Sequence, residues 1–192
     1  MPLLLRSVRG WWYRRFPGFL PGGHRLRGIG FTRRWNCEDR GWTQEGFAQL
    51  VWEKLLRGKR RGRILECSCG DGLIGSLGWW LEKNAGWTAD CEIDRGGALA
   101  RLRVARPAAK IHSSLASFGS GGANRIRDFD LVTSRSCRGT SRLCRMISRD
   151  AGGPAVVGIW NPSGRDLWSR RLGKLGYRMA LCRNRFELYQ KK

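Results

Sequence analysis

The segment from Arg63 to Ile93 constrains the fold of this chain more than any other part of the sequence. It begins with a short apolar run, Arg63–Cys67, of the type found in buried strands, and the turn at 68–72 carries two glycines. Apolar residues then recur at helical spacing up to Gly86, and a stretch that alternates apolar with polar residues follows. This order of strand, glycine turn, helix and strand predicts one unit of a parallel sheet.

The rest of the chain continues the alternation of helices and strands. Helical spacing predicts helices from Thr43 to Gly58, around Leu99 and Leu102, and over 163–175. Apolar runs predict strands at 87–93, 109–113, 129–133 and 155–160, and the tail reads as two strands joined near 183–184. The predicted fold class is therefore α/β: a Rossmann-like, mostly parallel, doubly wound sheet with a C-terminal antiparallel β-hairpin.

Two features place a candidate binding site at the carboxyl edge of this sheet, where ligands of such folds bind. The glycines at 70 and 72 follow the first strand directly, so a ligand can approach the backbone closely. Glu92 ends the second strand, twenty residues beyond Gly72, and a carboxylate there is placed to accept hydrogen bonds from ribose hydroxyls. The pattern predicts a cofactor that contains a nucleoside.

At these residues the chain resembles the FkbM-type family of class I S-adenosylmethionine-dependent methyltransferases. Members share a DG…S…LE…GW stretch, an acidic residue that ends the second strand and an RP-containing step into the third; this chain has DGLIGSLGWWLEKNAGW and CEIDRGGALARLRVARPAAKIH. The close match covers about residues 64–113, with weaker similarity at FDLVTS and LGKLGYRMALCRNRFELY, and residues 1–36 lie outside it.

The resemblance implies the class I methyltransferase fold, which the terminal hairpin fits, and S-adenosylmethionine as the cofactor. The residues that it places around the methionine part are Glu66, Cys69, Gly70, Asp71 and Gly72. It also implies that Glu92 holds the ribose and that Ile93 flanks the adenine, with His112 at the end of the third strand nearby.

The chain departs from the family pattern at two places. Ser68 stands where the usual motif has its first glycine, which adds a side chain beside the expected cofactor. After the fourth strand the family's acidic D-x-E-G step is replaced by Thr133-Ser134-Arg135-Ser136-Cys137-Arg138. Metal- or base-assisted chemistry on a substrate hydroxyl is thereby put in doubt, and Arg135 or Arg138 favours an anionic substrate.

Methyl transfer to a hydroxyl needs a group that accepts a proton, and the candidate bases near the strand ends are Asp130 and His112. Asp130 also fits a structural role at the start of its strand, and a lone histidine is more often structural than catalytic. Asn161-Pro162 resembles the N-P pairs of amino-group methyltransferases, but no aromatic residue follows it, so we interpret it as a turn.

The net charge of +22 is the strongest feature of the composition, and only seven of the 37 basic residues are Lys. Such a surface attracts RNA and other polyanions. An arginine excess that is spread along the chain can, however, also bind polyanions non-specifically, with no functional role. Residues 1–36 contain eight Arg, several aromatic residues and no Asp, Glu or Lys. We divide the chain into this basic, aromatic-rich N-terminal arm and an α/β domain over 37–192.

The seven cysteines show no disulfide spacing, so we expect a reducing, cytoplasmic location. The Cys67, Cys69 and Cys91 set lacks the CxxC pairs of structural zinc sites, and we expect no metal. No apolar run reaches the roughly 20 residues of a membrane span.

Three functions stay open at this point. The first is O-methylation of a small molecule or sugar that bears a hydroxyl group, the second is methylation of RNA or another polyanion, and the third is a degenerate domain that only binds nucleic acid. The segments 117–128 and 135–153 are the candidate substrate loops.

Overall fold

The computed structural model describes residues 19–20, 24–25, 47–70, 72, 76–93, 99–114, 125–150, 152–164, 166–183 and 185–192. Within these residues seven strands form one sheet. Numbered along the chain, they are β1 (Arg63–Cys67), β2 (Thr88–Glu92), β3 (Lys110–His112), β4 (Leu131–Ser134), β5 (Val156–Trp160), β6 (Tyr177–Arg183) and β7 (Phe186–Lys191). Their order across the sheet is β3-β2-β1-β4-β5-β7-β6.

The sheet is parallel except at one end. Strands β1 to β5 pair in parallel with their neighbours, whereas β7 runs antiparallel to both β5 and β6. The strand order reverses between β1 and β4, where Ile64 lies opposite Leu131 and Cys67 opposite Ser134. The predicted α/β fold class, with its mostly parallel sheet and terminal antiparallel hairpin, is confirmed, and the switch point that binds ligands in such folds lies between β1 and β4.

The helices begin and end where local sequence permits. They are α1 (Phe47–Lys54), α2 (Leu77–Ala85), α3 (Leu99–Ala105), α4 (Cys137–Arg149) and α5 (Leu167–Lys174), with a 3-10 helix at Ile126–Asp128. The Ser76 hydroxyl accepts the backbone N–H of Trp79 and so caps the start of α2. Gly86, at a φ of +66°, ends the helix in the left-handed conformation that glycine adopts at low cost.

Alternate strand residues supply two separate cores, one on each face of the sheet. Ile64 belongs to the core that contains Phe47 and Leu81, whereas Leu65 belongs to the core that contains Leu143 and Leu172. All of these side chains are almost fully buried, and each contributes about 1.5–3 kcal/mol by leaving water. Helices therefore cover both faces, as a doubly wound sheet requires.

Helix α4 corrects the prediction of a loop at 135–153. Its start is capped by the Ser136 hydroxyl, which accepts the Gly139 N–H, and its buried face contains Leu143 and Ile147. These two residues stand four apart and pack on the sheet, but the polar and arginine residues around them hide the helical periodicity. Of the other candidate loop, 117–124 lies outside the described residues.

In the predicted N-terminal arm the structure describes one short antiparallel pair, in which Phe19 lies opposite Arg25 and Leu20 opposite His24. The rest of residues 1–36, and the boundary at 37, lie outside the described residues. Among the helices that are described, none has the length and apolar character needed to cross a bilayer.

Candidate cofactor site at the switch point

The loop after β1 turns sharply and docks on the end of β2. Ser68, Gly70 and Gly72 adopt φ values of +58°, +63° and +71°. The backbone N–H of Cys69 donates to the Glu92 carbonyl at 3.0 Å. This loop therefore lies beside Glu92, as the sequence predicts, whereas Asp71 lies outside the described residues.

The two loop glycines are needed for different reasons. A Cβ on Gly72 would come within 2.1 Å of the Leu102 side chain, so α3 packs directly against this backbone. A Cβ on Gly70 would meet no described atom closer than the Arg135 side chain at 3.7 Å. Gly70 therefore presents open backbone at the carboxyl edge, while Gly72 is required by packing.

Ser68 adopts the left-handed conformation that the missing glycine would adopt at no cost. This conformation costs a non-glycine residue about 1–2 kcal/mol. Its hydroxyl lies 2.9 Å from the Ser136 hydroxyl, so the added side chain joins the loop after β1 to the start of α4. The departure at Ser68 thus creates a hydrogen bond across the switch point.

Glu92 is the central group of this site. Its side chain is only 2% exposed, one oxygen accepts the Ser68 N–H at 2.9 Å, and the other lies 3.5 Å from Arg142. The Arg142 side chain is 42% exposed, so solvent reaches it beside the Glu92 carboxylate. A buried carboxylate whose contact with Arg142 is long and partly exposed fits the ribose hydroxyls of a nucleoside cofactor. Ile93 continues the backbone here, and its N–H donates to the His112 carbonyl at 3.1 Å.

Glu66 is the acid next to the last residue of β1, and its contacts form a buried network beneath the loop. It accepts hydrogen bonds from the Ser76 hydroxyl at 2.8 Å and from the Gly78 N–H at 3.3 Å, and it pairs with Arg106. Arg106 also reaches Glu82 at 2.7 Å. These contacts join β1 to the start of α2 and to the residue after α3, so Glu66 positions the loop from below. Its predicted contact with the methionine part stays a prediction.

Neighbouring acidic groups keep Arg106 charged although its side chain is buried. Burial lowers the pKa of Arg106, but Glu66, Cys91 and Glu82 together hold that pKa above its ordinary value. Burial raises the pKa of Glu82, and Arg106 beside it only partly opposes the shift. Arg106 helps to hold the loop in place, and the sequence did not reveal this role. The Arg106-Pro107 pair could be read from the sequence, but the pairing of Arg106 with Glu66, 40 residues earlier, could not.

Cys69 is buried beside Cys91 on the α2 side of the sheet. A hydrogen bond with the Cys69 side chain, together with burial, raises the pKa of the Cys91 thiol. The structure therefore gives Cys69 a packing role under the loop, and a contact with the cofactor stays a prediction.

The two candidate bases lie at opposite edges of the sheet. His112 ends β3 at the carboxyl edge, in register with Glu92, and its Nε2 lies 2.7 Å from the buried Asp90 carboxylate. Asp130 precedes β4 at the amino edge, where it accepts the Arg63 N–H at 3.0 Å and pairs with Lys59 at 2.6 Å. The structure brings His112 to the predicted site and does not bring Asp130 there.

Serines and arginines occupy the position of the family's acidic step after β4. Arg135 donates to the Cys69 carbonyl at 3.3 Å, and its backbone N–H donates to the Cys67 carbonyl at 3.2 Å. No Asp or Glu occurs in the sequence from 131 to 149. The face of the switch point formed by β4 and α4 is therefore positively charged.

Asn161, after β5, is almost fully buried and bonds within the protein. Its amide donates to Glu187 at 2.8 Å and accepts from the Ser163 hydroxyl at 2.9 Å, and the Gly164 N–H donates to its carbonyl. These contacts form a turn at 161–164, as the sequence predicts.

Methyl transfer from a sulfonium needs donor and acceptor held in line, and a proton acceptor when the acceptor is a hydroxyl. The carboxyl edge offers a buried carboxylate at Glu92, open backbone at Gly70, an imidazole at His112 and cations at Arg135 and Arg142. This set can hold a nucleoside and an anionic second ligand on neighbouring strand ends.

No protein-family model matches the chain, and no curated protein matches it in sequence. Solved structures do match it. The TehB-like S-adenosylmethionine-dependent methyltransferase from Corynebacterium glutamicum aligns over 85% of this chain and 97% of its own, with a TM-score of 0.52 and 18% identity. DesVI from Streptomyces venezuelae aligns over 85% and 95%, with a TM-score of 0.55 and 14% identity.

The precorrin-6y C5,15-methyltransferase from Geobacter metallireducens aligns over 78% of this chain and 90% of its own, again with a TM-score of 0.55 and 14% identity. At these identities the likeness shows the fold alone, and the finer FkbM-type resemblance stays a prediction. The strand order and these structural neighbours together show that the chain has the fold of the class I S-adenosylmethionine-dependent methyltransferases.

Proposed function

We propose that this protein binds S-adenosylmethionine at the switch point and transfers its methyl group to a hydroxyl on an anionic acceptor. The observation that carries the proposal is the buried Glu92 carboxylate at the end of β2, bonded to the N–H of Ser68 in the turn after β1. A carboxylate in this place can accept hydrogen bonds from the ribose hydroxyls of a cofactor. The turn beside it begins with left-handed backbone and lets another part of the cofactor come close.

When bound, S-adenosylmethionine supplies an electrophilic methyl group on its sulfonium. The chain's own residues have three tasks around it. Glu92 accepts the ribose hydroxyls, Gly70 leaves room for close approach, and the Glu66–Arg106 network holds the loop from below. Because the loop is held before the ligand arrives, little entropy is lost in ordering it.

His112 is the proposed base, since of the two predicted bases it alone lies at the carboxyl edge. Its pairing with Asp90 orients the imidazole, as a carboxylate does for a catalytic histidine. Replacement of His112 by Asn should lower kcat and leave the KM for S-adenosylmethionine unchanged. A purely structural role would instead lower the unfolding free energy and change kcat and KM together.

The first candidate acceptor is a small molecule or sugar that bears a hydroxyl group, methylated on oxygen in the manner of the FkbM-type family. Arg135 and Arg142 favour an acceptor that also carries a negative group, such as a phosphate or carboxylate, because guanidinium binds such oxygens in a bidentate way. The resemblance at residues 64–113 supports this candidate.

The second candidate is methylation of RNA or another polyanion. The observation that favours it is the distribution of charge: the described carboxylates that form ion pairs are Glu66, Glu82, Asp90, Glu92, Asp130 and Asp150. These carboxylates are largely neutralised by ion pairs within the protein. The exposed arginines therefore determine the charge of the surface. A polyanion is the ligand that such a surface binds most strongly.

Incubation with S-adenosylmethionine labelled in the methyl group tests the proposal and separates the candidates. Label should pass either to phosphorylated sugars and similar small acceptors or to total RNA, and the Glu92→Ala variant should transfer none. No transfer to either class, together with tight RNA binding and no cofactor binding, would identify a degenerate binding module instead.

A further inference from the structure

Helix α4 presents one arginine per turn along a single face. The spacings of four, three and four residues place these side chains within a narrow arc of the helix, and they are Arg138, Arg142, Arg145 and Arg149. The opposite face is buried against the sheet through Leu143 and Ile147. We call the four arginines the α4 arginine ridge; at 1.5 Å per residue it is about 16 Å long.

Most of this ridge carries unneutralised charge. Arg138, Arg145 and Arg149 are exposed, and in the part of the chain that the structure describes none of the three pairs with a carboxylate. The helix itself contains no Asp or Glu. These three arginines are therefore available to an external anion.

One end of the ridge meets the cofactor site. Arg142 lies 3.5 Å from the Glu92 carboxylate, and Ser136, the cap of α4, lies 2.9 Å from Ser68 in the loop after β1. An extended polyanion that follows the ridge would thus pass the carboxyl edge of the sheet, where the methyl donor would bind.

We propose that the α4 arginine ridge docks the phosphate backbone of single-stranded RNA, and that Arg142 couples this docking to cofactor binding. The inference rests on the proposed function and names its acceptor class. RNA combines the two properties that the site asks for, because it carries a phosphate for arginine and a 2′-hydroxyl for O-methylation at every nucleotide.

The coupling follows from the shared use of Arg142. Without RNA, Arg142 pairs with Glu92 and competes with the ribose hydroxyls of the cofactor. A phosphate on the ridge attracts Arg142 and releases Glu92, so RNA raises the affinity for cofactor. By linkage, the cofactor raises the affinity for RNA by the same factor.

The docking surface is tested by fluorescence anisotropy with a labelled 20-nucleotide single-stranded RNA. The double variant Arg138→Ala, Arg145→Ala should bind at least about tenfold more weakly than wild type, with a salt slope reduced by about 1.4, or 0.7 for each lost contact. The matched control is Arg170→Ala, Lys174→Ala, which removes the same charge from exposed positions of α5. If both variants lose the same RNA affinity, the protein binds RNA by its net charge alone. That result would overturn the proposal that the α4 arginine ridge is the docking surface.

The coupling is tested by calorimetric titration of S-adenosylhomocysteine with and without the RNA. In wild type, RNA should tighten the affinity at least about fivefold. Arg142→Gln should bind S-adenosylhomocysteine more tightly than wild type without RNA and gain nothing when RNA is added, whereas Arg145→Gln should keep the coupling. An affinity that RNA leaves unchanged in wild type would overturn the coupling.

The two failures are distinguishable. Suppose that wild type binds S-adenosylhomocysteine but the ridge variant and its control bind RNA with equal affinity. The ridge is then not the docking surface for RNA, and the proposed function stands. If folded wild type binds no S-adenosylhomocysteine with or without RNA, the proposed function and the coupling both fail.

Discussion

Replacement of Arg106 by Met should destabilise the domain more than any surface change. The Arg106 side chain is 1% exposed and Glu66 is 2% exposed, so the variant leaves a carboxylate buried without its counter-ion. Breaking a buried pair in this way costs about 3–5 kcal/mol. With an m-value of about 2 kcal/mol/M, that cost lowers the urea midpoint by roughly 2 M.

Urea unfolding followed by circular dichroism measures this shift, and Arg103→Met is the matched control because Arg103 is exposed on α3, three residues before Arg106. The double variant Arg106→Met, Glu66→Gln should recover at least half of the loss. It removes the unpaired charge at position 66, and the Ser76 hydroxyl and Gly78 N–H can still donate to the new amide oxygen. A midpoint for Arg106→Met within 0.3 M, or about 0.6 kcal/mol, of the control would refute the network's role.

Three further outcomes are expected. Asp130→Asn should leave the affinity for S-adenosylhomocysteine unchanged and lower the unfolding free energy by about 1 kcal/mol or less, since Asp130 pairs at the amino edge; a loss of affinity would contradict this placement. Gly72→Ala should lower the urea midpoint more than Gly70→Ala, because only at Gly72 does the new Cβ collide with a packed side chain; equal midpoints would disprove the packing argument. Iodoacetamide at pH 8 should label exposed Cys137 well before buried Cys91, whose thiol pKa is raised; mass spectrometry of the folded protein measures the order, and early labelling of Cys91 would count against its burial.

The parts of the fold that the sequence predicts are those with strong local patterns. Strand β1 falls at Arg63–Cys67, the predicted range, because its apolar run is buried on both faces. Gly86 ends α2 as predicted, since a left-handed cap is a local property of the chain. Helix α4 was missed because its buried face is narrow and its exposed face is almost entirely polar or arginine.

The candidate site also contains residues that local sequence patterns predict and residues that they do not. Glu92 could be predicted because the interval from the glycine turn to the end of β2 is set by the lengths of one helix and one strand. The pairing of Glu66 with Arg106 and that of Glu92 with Arg142 join residues 40 and 50 positions apart, so only tertiary packing shows them. Asp130 directly precedes Leu131, the first residue of β4, and the start of a parallel strand lies at the edge opposite to Glu92.

The most direct test of the cofactor site is calorimetric titration of S-adenosylhomocysteine into protein freed of nucleic acid by high salt. Wild type should bind at micromolar levels, and Glu92→Gln, with folding verified by circular dichroism, should bind at least about tenfold more weakly, a loss of about 1.4 kcal/mol. Glu53→Gln, an exposed carboxylate on α1, should bind like wild type. Equal affinity in Glu92→Gln and wild type, or no binding by folded wild type, would contradict a cofactor site built on Glu92.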